Sequence, residues 1–589
     1  MGRNLVEVRI AQDSLDDLDK APGVRGVQPR HAASLHSLDA SRTLIQAEPV
    51  HLGTGLAHAH HGTGTLVGIV DNGFDLNHYA FLDSNGLTRI IRAWDQTNSV
   101  TAPPAGFTEG ALFSGSAIGT LAYTSTPVHH GTHVTGLAAA RTWAPSGGEW
   151  WGVADDARIA VVDCGDGCSG LDDGIQYLVQ LADSLKMPLA INLSLGSIEG
   201  PRNGESYECT FLAGQLGAGK LAVFSAGNAG GQTGHAAHTF TGDTAWLAVQ
   251  AGTEAQTSGT DTIRTVAYNQ VELWGDSSRT FEGWIQFLDT SNQPLTTTPA
   301  YLAGRSVLKN IDQTSIVGTD TFWISGDVEI RSGLPGLVLT VSSTRKDLRI
   351  RMGFTATTGT LNAWDWADGL QFLAPDSSGC SQCLVPDNDQ MISDQATCPE
   401  ILSVGAVDAA NSQATWFTSK GPGLAAMPKP DLSAPGMNVI SSLNSSVNDG
   451  WPVSGTAGIF SWGPMSGTSM SAPMVTGTLA LLLEDNPTLT NDSALTLLKN
   501  GSTSFDTAMG WGILDVQALF QKLDPAISTS VRRTAQPADP VLSRRWITTT
   551  GRRVEIPAGI QPYSLHPGGI AWLEECRASG CTARGIPRL

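Results

Sequence analysis

Short apolar runs that alternate with helical stretches constrain the fold of this chain more than any other feature of its sequence. Four such runs lie at 64–70, 157–163, 189–196 and 221–228. Each has the length and the continuous apolar character of a strand that is buried on both faces of a parallel sheet. Helical patterns separate them, as at 171–187 and 209–220. This order predicts an α/β fold, a doubly wound and mainly parallel sheet with helices on both faces.

The pattern changes between residues 243 and 395. Short alternating segments punctuated by Ser, Thr, Gly and Asp replace the strand–helix order, which is typical of an antiparallel β-sandwich or jelly roll. The parallel-sheet pattern then resumes, so one domain is predicted to interrupt another. The predicted divisions are a partial module and polar linker at 1–55, the first part of the α/β domain at 56–242, the all-β insertion at 243–395, the second part of the α/β domain at 396–522, and a C-terminal tail or small β-domain at 523–589.

The charge of the chain limits its partners. The formal net charge is −20 and the pI is near 5.0, which argues against nucleic acid or an anionic membrane surface as the main partner. No apolar run is long enough to span a bilayer, and residues 1–12 do not form a signal peptide. We therefore predict no transmembrane segment, and an exported protein would begin downstream of its signal.

The cysteines form an even set of eight, and three pairs are close in sequence. This pattern favours disulfides and an oxidising compartment. Cys380 and Cys383 allow three interpretations: half of a zinc site, a local disulfide, or free thiols. No second pair of this kind completes four zinc ligands, which favours the last two.

Four polar residues stand at the ends of predicted elements, where an open parallel sheet places its ligand crevice. Asp71 ends the first strand, His130 begins a helix, Asn228 ends the fourth strand, and Ser469 begins a helix that stops at 486–487. Taken singly, they are ordinary turn and cap residues. Taken together, they supply a carboxylate, a general base, an amide donor and a nucleophile.

The histidines at 129, 130 and 133 also suggest a metal site. His129 and His133 are the only pair spaced by four residues, and the glutamate that a zinc-protease helix carries between its histidines is absent. A neutral histidine at a helix start suits a general base. The sequence therefore favours His130 as a base over a metal ligand.

The local contexts GIVDNG, HHGTHVTGLAAA, FSAGNAG and SGTSMSAP resemble the subtilisin-like serine proteases at every signature, over about residues 60–240 and 396–522. The resemblance implies that Ser469 attacks the scissile carbonyl and that His130 takes and returns the proton. It implies that Asp71 orients His130 and that Asn228 donates to the oxyanion. It also implies a secreted or extracytoplasmic endopeptidase that acts on proteins or peptides.

Substrate contacts also follow from the resemblance. Ser194, Leu195 and Gly196 match one wall of the primary specificity pocket, and Ala226 with Gly227 matches the other. A strand that binds the substrate backbone is matched by Gly165, Asp166, Gly167 and Gly170. No cofactor is required for the chemistry. Structural calcium is compatible with the acidic loops, although no ligand set can be named and the metal residues are unknown.

The N-terminal 50 residues resemble the end of an inhibitory propeptide, which predicts self-cleavage between residues 28 and 60. Two other functions compete with proteolysis. The first is a proteolytically silent member of the family, and the second is an adhesin whose tryptophan-bearing insertion binds a glycan or a large protein. The sequence does not predict the oligomeric state.

Overall fold

The structure is a computed structural model, and it describes a large part of the chain. The described ranges are 38–118, 127–141, 151–197, 199–258, 261–276, 280–304, 308–365, 372–424, 427–447, 461–499, 502–523, 543–548, 553–554, 570–577 and 580–585. The chain forms two compact units, Met1–Phe520 and Gln521–Leu589.

Helices and strands alternate through the first of these units. The helices are α1 (Leu38–Leu44), α2 (Ala47–His51), α3 (His130–Ala139), α4 (Leu171–Leu185), α5 (Tyr207–Gln215), α6 (Pro375–Ser378), α7 (Thr468–Asp485), α8 (Asn491–Leu498) and α9 (Val516–Leu523). The strands before the insertion are β1 (Leu66–Asp71), β2 (Ile90–Asp95), β3 (Ala111–Ser114), β4 (Arg158–Asp163), β5 (Leu189–Leu193) and β6 (Lys220–Ser225).

The strands that follow are β7 (His235–Phe240), β8 (Thr244–Val249), β9 (Gly252–Ser258), β10 (Asp261–Gly275), β11 (Phe281–Leu288), β12 (Pro294–Thr297), β13 (Tyr301–Ala303), β14 (Leu308–Val317), β15 (Asp320–Arg331), β16 (Leu334–Ser343), β17 (Arg349–Thr355), β18 (Gly359–Asp365), β19 (Phe372–Leu373), β20 (Leu402–Asp408), β21 (Gln413–Ala414), β22 (Leu432–Pro435), β23 (Val439–Leu443) and β24 (Ser461–Met465).

A nine-stranded sheet forms the centre, in the order β21-β20-β6-β5-β1-β4-β2-β3 with β22 also paired to β20. Pairing is parallel from β2 through β4, β1, β5 and β6 to β20. The two edge strands pair antiparallel with their neighbours, β3 with β2 and β21 with β20. The predicted α/β fold with a mainly parallel sheet is confirmed. Every position of β1 is buried, because helices cover both faces of this strand.

Helix α7 packs in the middle of this core, since sixteen of its eighteen residues, from Thr468 to Leu483, are buried. Small residues permit the close approach. A Cβ placed on Gly477 would lie 2.8 Å from the Ala138 carbonyl, and one on Gly136 would lie 2.3 Å from the Ser441 hydroxyl. Helix α7 therefore packs closely against α3, and α3 packs closely against β23. This packing fixes the first residues of α3 and α7 relative to each other.

The segment from β7 to β19 forms two antiparallel sheets. One has the order β14-β15-β16-β10-β18-β7 with β9 on β10, and the other has the order β12-β11-β17-β8-β19 with β13 on β11. Alternate residues of both sheets, such as Leu273, Leu339, Phe287 and Phe354, share one apolar core. We call this segment, His235–Leu373, the sandwich.

The segment ahead of β1 differs from the polar linker that the sequence predicts. Helices α1 and α2 occupy part of it, and Ile45, Ala47 and Val50 are fully buried in the core that also contains α7. The backbone N–H of Val516 also donates to the Ile45 carbonyl at 2.8 Å. The linker prediction failed here because three apolar residues spread over six positions give too weak a periodic pattern. Residues 1–37, with the propeptide resemblance, lie outside the described residues.

The second unit contains β25 (Ser543–Thr548), β26 (Arg553–Val554), β27 (Ile570–Arg577) and β28 (Gly580–Gly585). They form an antiparallel sheet in the order β26-β25-β27-β28, in which Cys576 and Cys581 are register partners. Within the described residues, no helix combines the length and apolar character needed to cross a membrane.

Candidate active site

Ser469 is the second residue of α7, directly after the turn at Gly467. Its side chain is mostly covered, with a relative exposure of 8%. Pro473 lies four residues later and has no backbone N–H, so it cannot bond the Ser469 carbonyl as a helical residue would. That carbonyl instead accepts from the Ser194 hydroxyl at 2.8 Å. The proline thus lets the helix start attach to the segment after β5.

Asp71 and His130 form a hydrogen-bonded pair. Asp71 ends β1 and His130 begins α3, and the distance from His130 Nδ1 to Asp71 Oδ1 is 2.7 Å. The same carboxylate oxygen accepts from the Asn72 backbone N–H at 2.8 Å. A carboxylate at Nδ1 favours the tautomer whose proton is on that nitrogen. The other ring nitrogen, Nε2, is then able to accept a proton.

The environment of His130 acts on its pKa in opposite directions. Burial alone would lower this pKa, but the charge and the hydrogen bond of Asp71 outweigh burial and raise it above the ordinary value of 6.5. His130 therefore holds a proton more tightly than a free imidazole does, as a base that must stabilise its own cation requires.

The Ser469 hydroxyl donates to the Ser194 carbonyl at 3.2 Å. Among the described residues it makes no hydrogen bond to His130. A rotation of the Ser469 side chain is thus needed before the hydroxyl can engage the imidazole. Catalytic hydrogen bonds are often long or misaligned without substrate, so this arrangement is compatible with a nucleophile and its base.

Asn228 lies three residues beyond β6 and is exposed. Its Oδ1 accepts from the Thr468 backbone N–H at 2.9 Å and from the Thr468 hydroxyl at 3.1 Å. These two bonds fix the amide plane and leave the Nδ2 donor to point elsewhere. The amide is therefore anchored at the residue directly before Ser469, where an oxyanion donor would have to stand.

His133 has a structural position rather than a metal-binding one. It is fully buried, and its Nε2 lies 3.0 Å from the Val439 carbonyl and 3.1 Å from the Gly463 carbonyl. Burial lowers its pKa to about 3, so the ring is neutral. These contacts attach α3 to β23 and β24. The alternative of a metal site on this helix is wrong for His133, because its Nε2 is used by two carbonyls.

A cleft of about 530 Å³ opens beside the Asp71–His130 pair. It is lined by Asp71, Asn72, His130, Gly167, Cys168, Ser169, Leu171, Asp172, Ser194, Leu195, Gly196, Ser197, Glu208 and Gln395. The predicted wall 194–196 and the predicted Gly167 therefore face one cavity with Asp71 and His130. Ser469 is bonded to that wall, and Asn228 is bonded to Thr468.

The remaining predicted contacts lie around this cleft without lining it. Ala226 is buried and its carbonyl accepts from the Ser393 N–H at 2.9 Å, while Gly227 donates to the Thr468 hydroxyl at 3.1 Å. Asp166 is exposed. The Gly165 carbonyl accepts from Asn72 Nδ2 at 3.3 Å, and the Gly170 carbonyl accepts from Gln96 Nε2 at 2.8 Å.

The strand predicted at 165–170 is not present. These residues form turns after β4, with a positive φ at Gly165, Gly167 and Cys168. A disulfide joins Cys164 to Cys168. A ring closed over so few residues cannot be extended, which is why the segment is a loop in this structure.

A family profile described as the subtilase family matches residues 62–316 and 366–512. These ranges cover more than half of the chain. The chain belongs to the subtilase family. Subtilases are serine proteases, a class of hydrolase, and need no cofactor for catalysis.

Two relatives of this subtilase come from Bacillus. Over 138 residues it is 37% identical to "Serine protease AprX" of Bacillus subtilis (strain 168), a match that covers 21% of this chain and 31% of AprX. Over 128 residues it is 34% identical to "Subtilisin" of Bacillus pumilus, covering 21% of this chain and 39% of that protein. The chain thus matches less than two fifths of the length of each of these relatives.

A third relative and a solved structure extend the comparison. An "Extracellular protease" of Xanthomonas campestris pv. campestris is 33% identical over 118 residues, 20% of this chain and 18% of that protein. The solved structure of the Clostridium perfringens CspB protease aligns with a TM-score of 0.62 at 20% identity. The aligned region covers 84% of this chain and 98% of the CspB chain. At this identity the likeness shows a shared fold.

Sequence reasoning missed several residues that line the cleft of this subtilase. Glu208 and Gln395 are far apart in the chain, and the Cys209–Cys398 disulfide joins a position one residue from Glu208 to a position three residues from Gln395. Asp172 lies two residues after the 165–170 loop, and this proximity in the sequence was the one available signal. A third disulfide joins Cys380 to Cys383, which confirms the local pairing and overturns the zinc interpretation.

Proposed function

We propose that this subtilase is a secreted endopeptidase that hydrolyses peptide bonds through an acyl-enzyme on Ser469. The observation that carries the proposal is the 2.7 Å bond between Asp71 and His130, on the cleft whose Ser194 wall is bonded to Ser469. Secretion is supported by the disulfides and by an extracellular protease among the relatives.

In the proposed reaction, substrate binding turns the Ser469 hydroxyl from the Ser194 carbonyl towards His130 Nε2. The hydroxyl loses its proton to Nε2 as its oxygen attacks the scissile carbonyl. The imidazolium then gives that proton to the leaving amine. A water molecule then attacks the acyl-enzyme, with His130 again as the base, and the carboxylic acid product leaves as Ser469 regains its proton. Asp71 stays ionised and stabilises the imidazolium through Nδ1.

The tetrahedral intermediate requires donors to its oxyanion. We assign that role to Asn228 Nδ2 and to the Ser469 backbone N–H, the latter at the positive end of the α7 dipole. The anchoring of Asn228 Oδ1 by Thr468 supports this assignment, because a fixed amide does not have to reorganise as charge develops.

The experiment that tests this function is covalent labelling. The mature protein should react with a fluorophosphonate probe at Ser469 and should cleave casein. Peptide mapping of the labelled protein identifies the residue. A correctly folded, processed protein that neither labels nor cleaves would rule out the enzyme and favour the silent member of the family.

The pH dependence of kcat/KM tests the role of His130. Because Asp71 raises the pKa of His130, kcat/KM should fall tenfold per pH unit below a midpoint that lies above 6.5. Asp71→Asn removes the charge, so burial should dominate and move the midpoint to lower pH. Peptide hydrolysis, with circular dichroism at each pH to exclude unfolding, measures this. An unmoved midpoint in the variant would contradict the assignment.

Two carboxylates besides Asp71 give the cleft a negative charge. Burial, followed by the charges of Glu208 and Asp173, raises the pKa of Asp172. The lining residues that the structure describes include Asp172 and Glu208 but no lysine or arginine. A substrate side chain with a positive charge would relieve this concentration of negative charge. We therefore propose that the preferred substrates carry Arg or Lys near the scissile bond.

Glu208→Gln should lower kcat/KM for an arginine-containing peptide by about tenfold, or about 1.4 kcal/mol, since it removes one partly screened charge. The same variant should leave an uncharged peptide nearly unchanged. Glu205→Gln is the matched control, because Glu205 is exposed and does not line the cleft. An equal loss on both peptides would contradict the electrostatic explanation.

We propose further that the insertion at 243–395 supports the catalytic part. Trp274 and Trp364 are fully buried, together with Ala229, which directly follows Asn228. Two tryptophans of the insertion are therefore core residues, which disfavours a glycan-binding groove built on these two side chains. We propose a catalytic part that differs from the predicted 56–242 at both ends: it includes α1 and α2, which contribute to its core, and it ends before β7, which pairs in the sandwich. Residues 396–522 stay its second part, and 523–589 a separate tail.

Maturation and calcium complete the proposal. Because α1 and α2 are part of the core, we place the predicted self-cleavage between residue 28 and Leu38.

Calcium requires six to eight oxygen ligands. Among the described residues, carboxylates alone form no group of three at ligand distance. That part of the chain therefore does not fit a carboxylate-rich calcium site, and no step depends on one.

A further inference from the structure

Two histidines and an aspartate converge at the end of α7 opposite to Ser469. His58 and His60 lie between α2 and β1, and Asp485 is the last residue of α7. Their nearest ligand atoms all lie within 4.8 Å of one another. His58 Nε2 is 3.3 Å from Asp485 Oδ1, and His60 Nδ1 is 3.5 Å from Asp485 Oδ2.

His60 shows that this convergence is more than a surface cluster. Its side chain is 4% exposed, and its Nδ1 has no hydrogen-bond partner although it faces Asp485. The ring is held by Phe520 on one side, with centroids 4.3 Å apart, and by His58 at 4.2 Å. A buried nitrogen without a partner is costly, and a bound cation would remove that cost.

Two neighbouring carboxylates, Glu484 and Asp155, bind residues 61 and 62. They leave the ligand atoms of His58, His60 and Asp485 available. Glu484 Oε2 accepts from the backbone N–H groups of His61 and Gly62, at 2.9 and 2.7 Å. His61 Nδ1 lies 2.7 Å from Asp155 Oδ1. These contacts fix the loop directly after His60, so His60 is positioned before any ion arrives.

The donor atoms select a class of metal. Tetrahedral bonds of about 2.0–2.1 Å place ligand atoms about 3.3–3.4 Å apart, and the two histidine nitrogens lie 3.3 and 3.5 Å from different oxygens of the Asp485 carboxylate. Two imidazole nitrogens and one carboxylate suit Zn²⁺ and similar transition metals, whereas calcium takes oxygen ligands. Three protein ligands leave one tetrahedral position for water.

We propose that His58, His60 and Asp485 bind a divalent transition-metal ion of the Zn²⁺ class. The ion stands at the C-terminal end of α7, where the helix dipole favours a cation. It connects the segment ahead of β1 to the helix that carries Ser469 at its other end. Its role is to stabilise the catalytic domain, and it takes no part in peptide hydrolysis.

The test uses the full chain with Ser469→Ala, to prevent self-digestion, after removal of any histidine tag and treatment with a chelator. Zn²⁺ is titrated in competition with a chromophoric chelator, and Co²⁺ is added separately to record its visible absorption. We expect one Zn²⁺ per chain, a tetrahedral Co²⁺ spectrum, and a higher Tm with Zn²⁺ but not with Ca²⁺.

His58→Ala and Asp485→Asn should each weaken Zn²⁺ binding at least tenfold and abolish the Tm increase. Both residues are exposed, so the variants should fold. His238→Ala is the matched control, since His238 pairs with Asp243 at 3.0 Å in the sandwich. Zn²⁺ affinity that is unchanged in His58→Ala and Asp485→Asn, or the absence of a site binding one Zn²⁺ per chain, would overturn the proposal.

Discussion

Ser469→Ala is expected to lower kcat/KM for a peptide substrate by about 10⁶-fold, which is the scale of losing a triad nucleophile. The reason is chemical. Alanine has no oxygen to form the acyl-enzyme, and only slow attack by water remains. The helix should not change, because the Ser469 hydroxyl makes one hydrogen bond, to the Ser194 carbonyl at 3.2 Å. Initial rates with a chromogenic peptide, together with casein digestion, measure the loss.

Ser466→Ala is the control for this experiment. Ser466 lies three residues earlier and is exposed, and its hydroxyl accepts from the Asn438 backbone N–H at 2.8 Å. This variant should keep its activity within tenfold. If Ser469→Ala retained most of the activity of the parent, the nucleophile would be another residue. The assignment of Ser469 to the catalytic triad would then be wrong, although the description of the fold would be unaffected.

Glu272→Ala is expected to lower the free energy of unfolding by about 3–5 kcal/mol, because it removes the carboxylate that forms an ion pair with a buried arginine. Glu272 is in β10 of the sandwich, and Arg202 lies in the segment that follows the cleft wall. Both side chains are 0% exposed, and Arg202 Nη1 is 2.8 Å from Glu272 Oε1. Glu272 also accepts from the Gly200 N–H at 2.9 Å and from Trp274 Nε1 at 3.0 Å.

Urea denaturation on the Ser469→Ala background measures this effect without self-digestion. The matched control is Asp347→Ala, which breaks the pair of Asp347 with Arg345 in the same sandwich. The Asp347 side chain is 57% exposed, so the expected cost is below about 1 kcal/mol. Replacing both buried partners, as Arg202→Met with Glu272→Leu, should recover much of the loss. Similar small losses for Glu272→Ala and Asp347→Ala would contradict the inferred anchor.

This anchor gives the sandwich a structural connection to the cleft. Arg202 donates from its backbone N–H to Asp394 Oδ1 at 2.7 Å, and its guanidinium lies 4.2 Å above the Trp364 ring. Burial raises the pKa of Glu272 even though Arg202 opposes this shift. The pair therefore links the sandwich to the segment that follows the cleft wall, and desolvation of its charges limits the net stability that it adds.

The sequence predicted the central sheet well because its strands are continuous apolar runs. The run at 64–70 corresponds to β1, and the run at 157–163 corresponds to β4. Helix α7 begins at Thr468 and ends at Asp485, directly before the predicted stop. By contrast, the 165–170 loop and helices α1 and α2 were mispredicted. The loop depends on a disulfide, and the two helices depend on packing in the core that also contains α7. Neither cause leaves a periodic pattern in the sequence.

The sequence by itself determined that Asp71, His130, Asn228 and Ser469 stand at the ends of buried elements. It did so because parallel strands direct their carboxyl ends to one edge of a sheet. Only the tertiary structure decided what surrounds them. Glu208 and Gln395 line one cleft, Arg202 meets Glu272, and His60 meets Asp485 through folding of distant segments. Such contacts depend on close packing and on pairing of buried charges, which no local pattern of residues encodes.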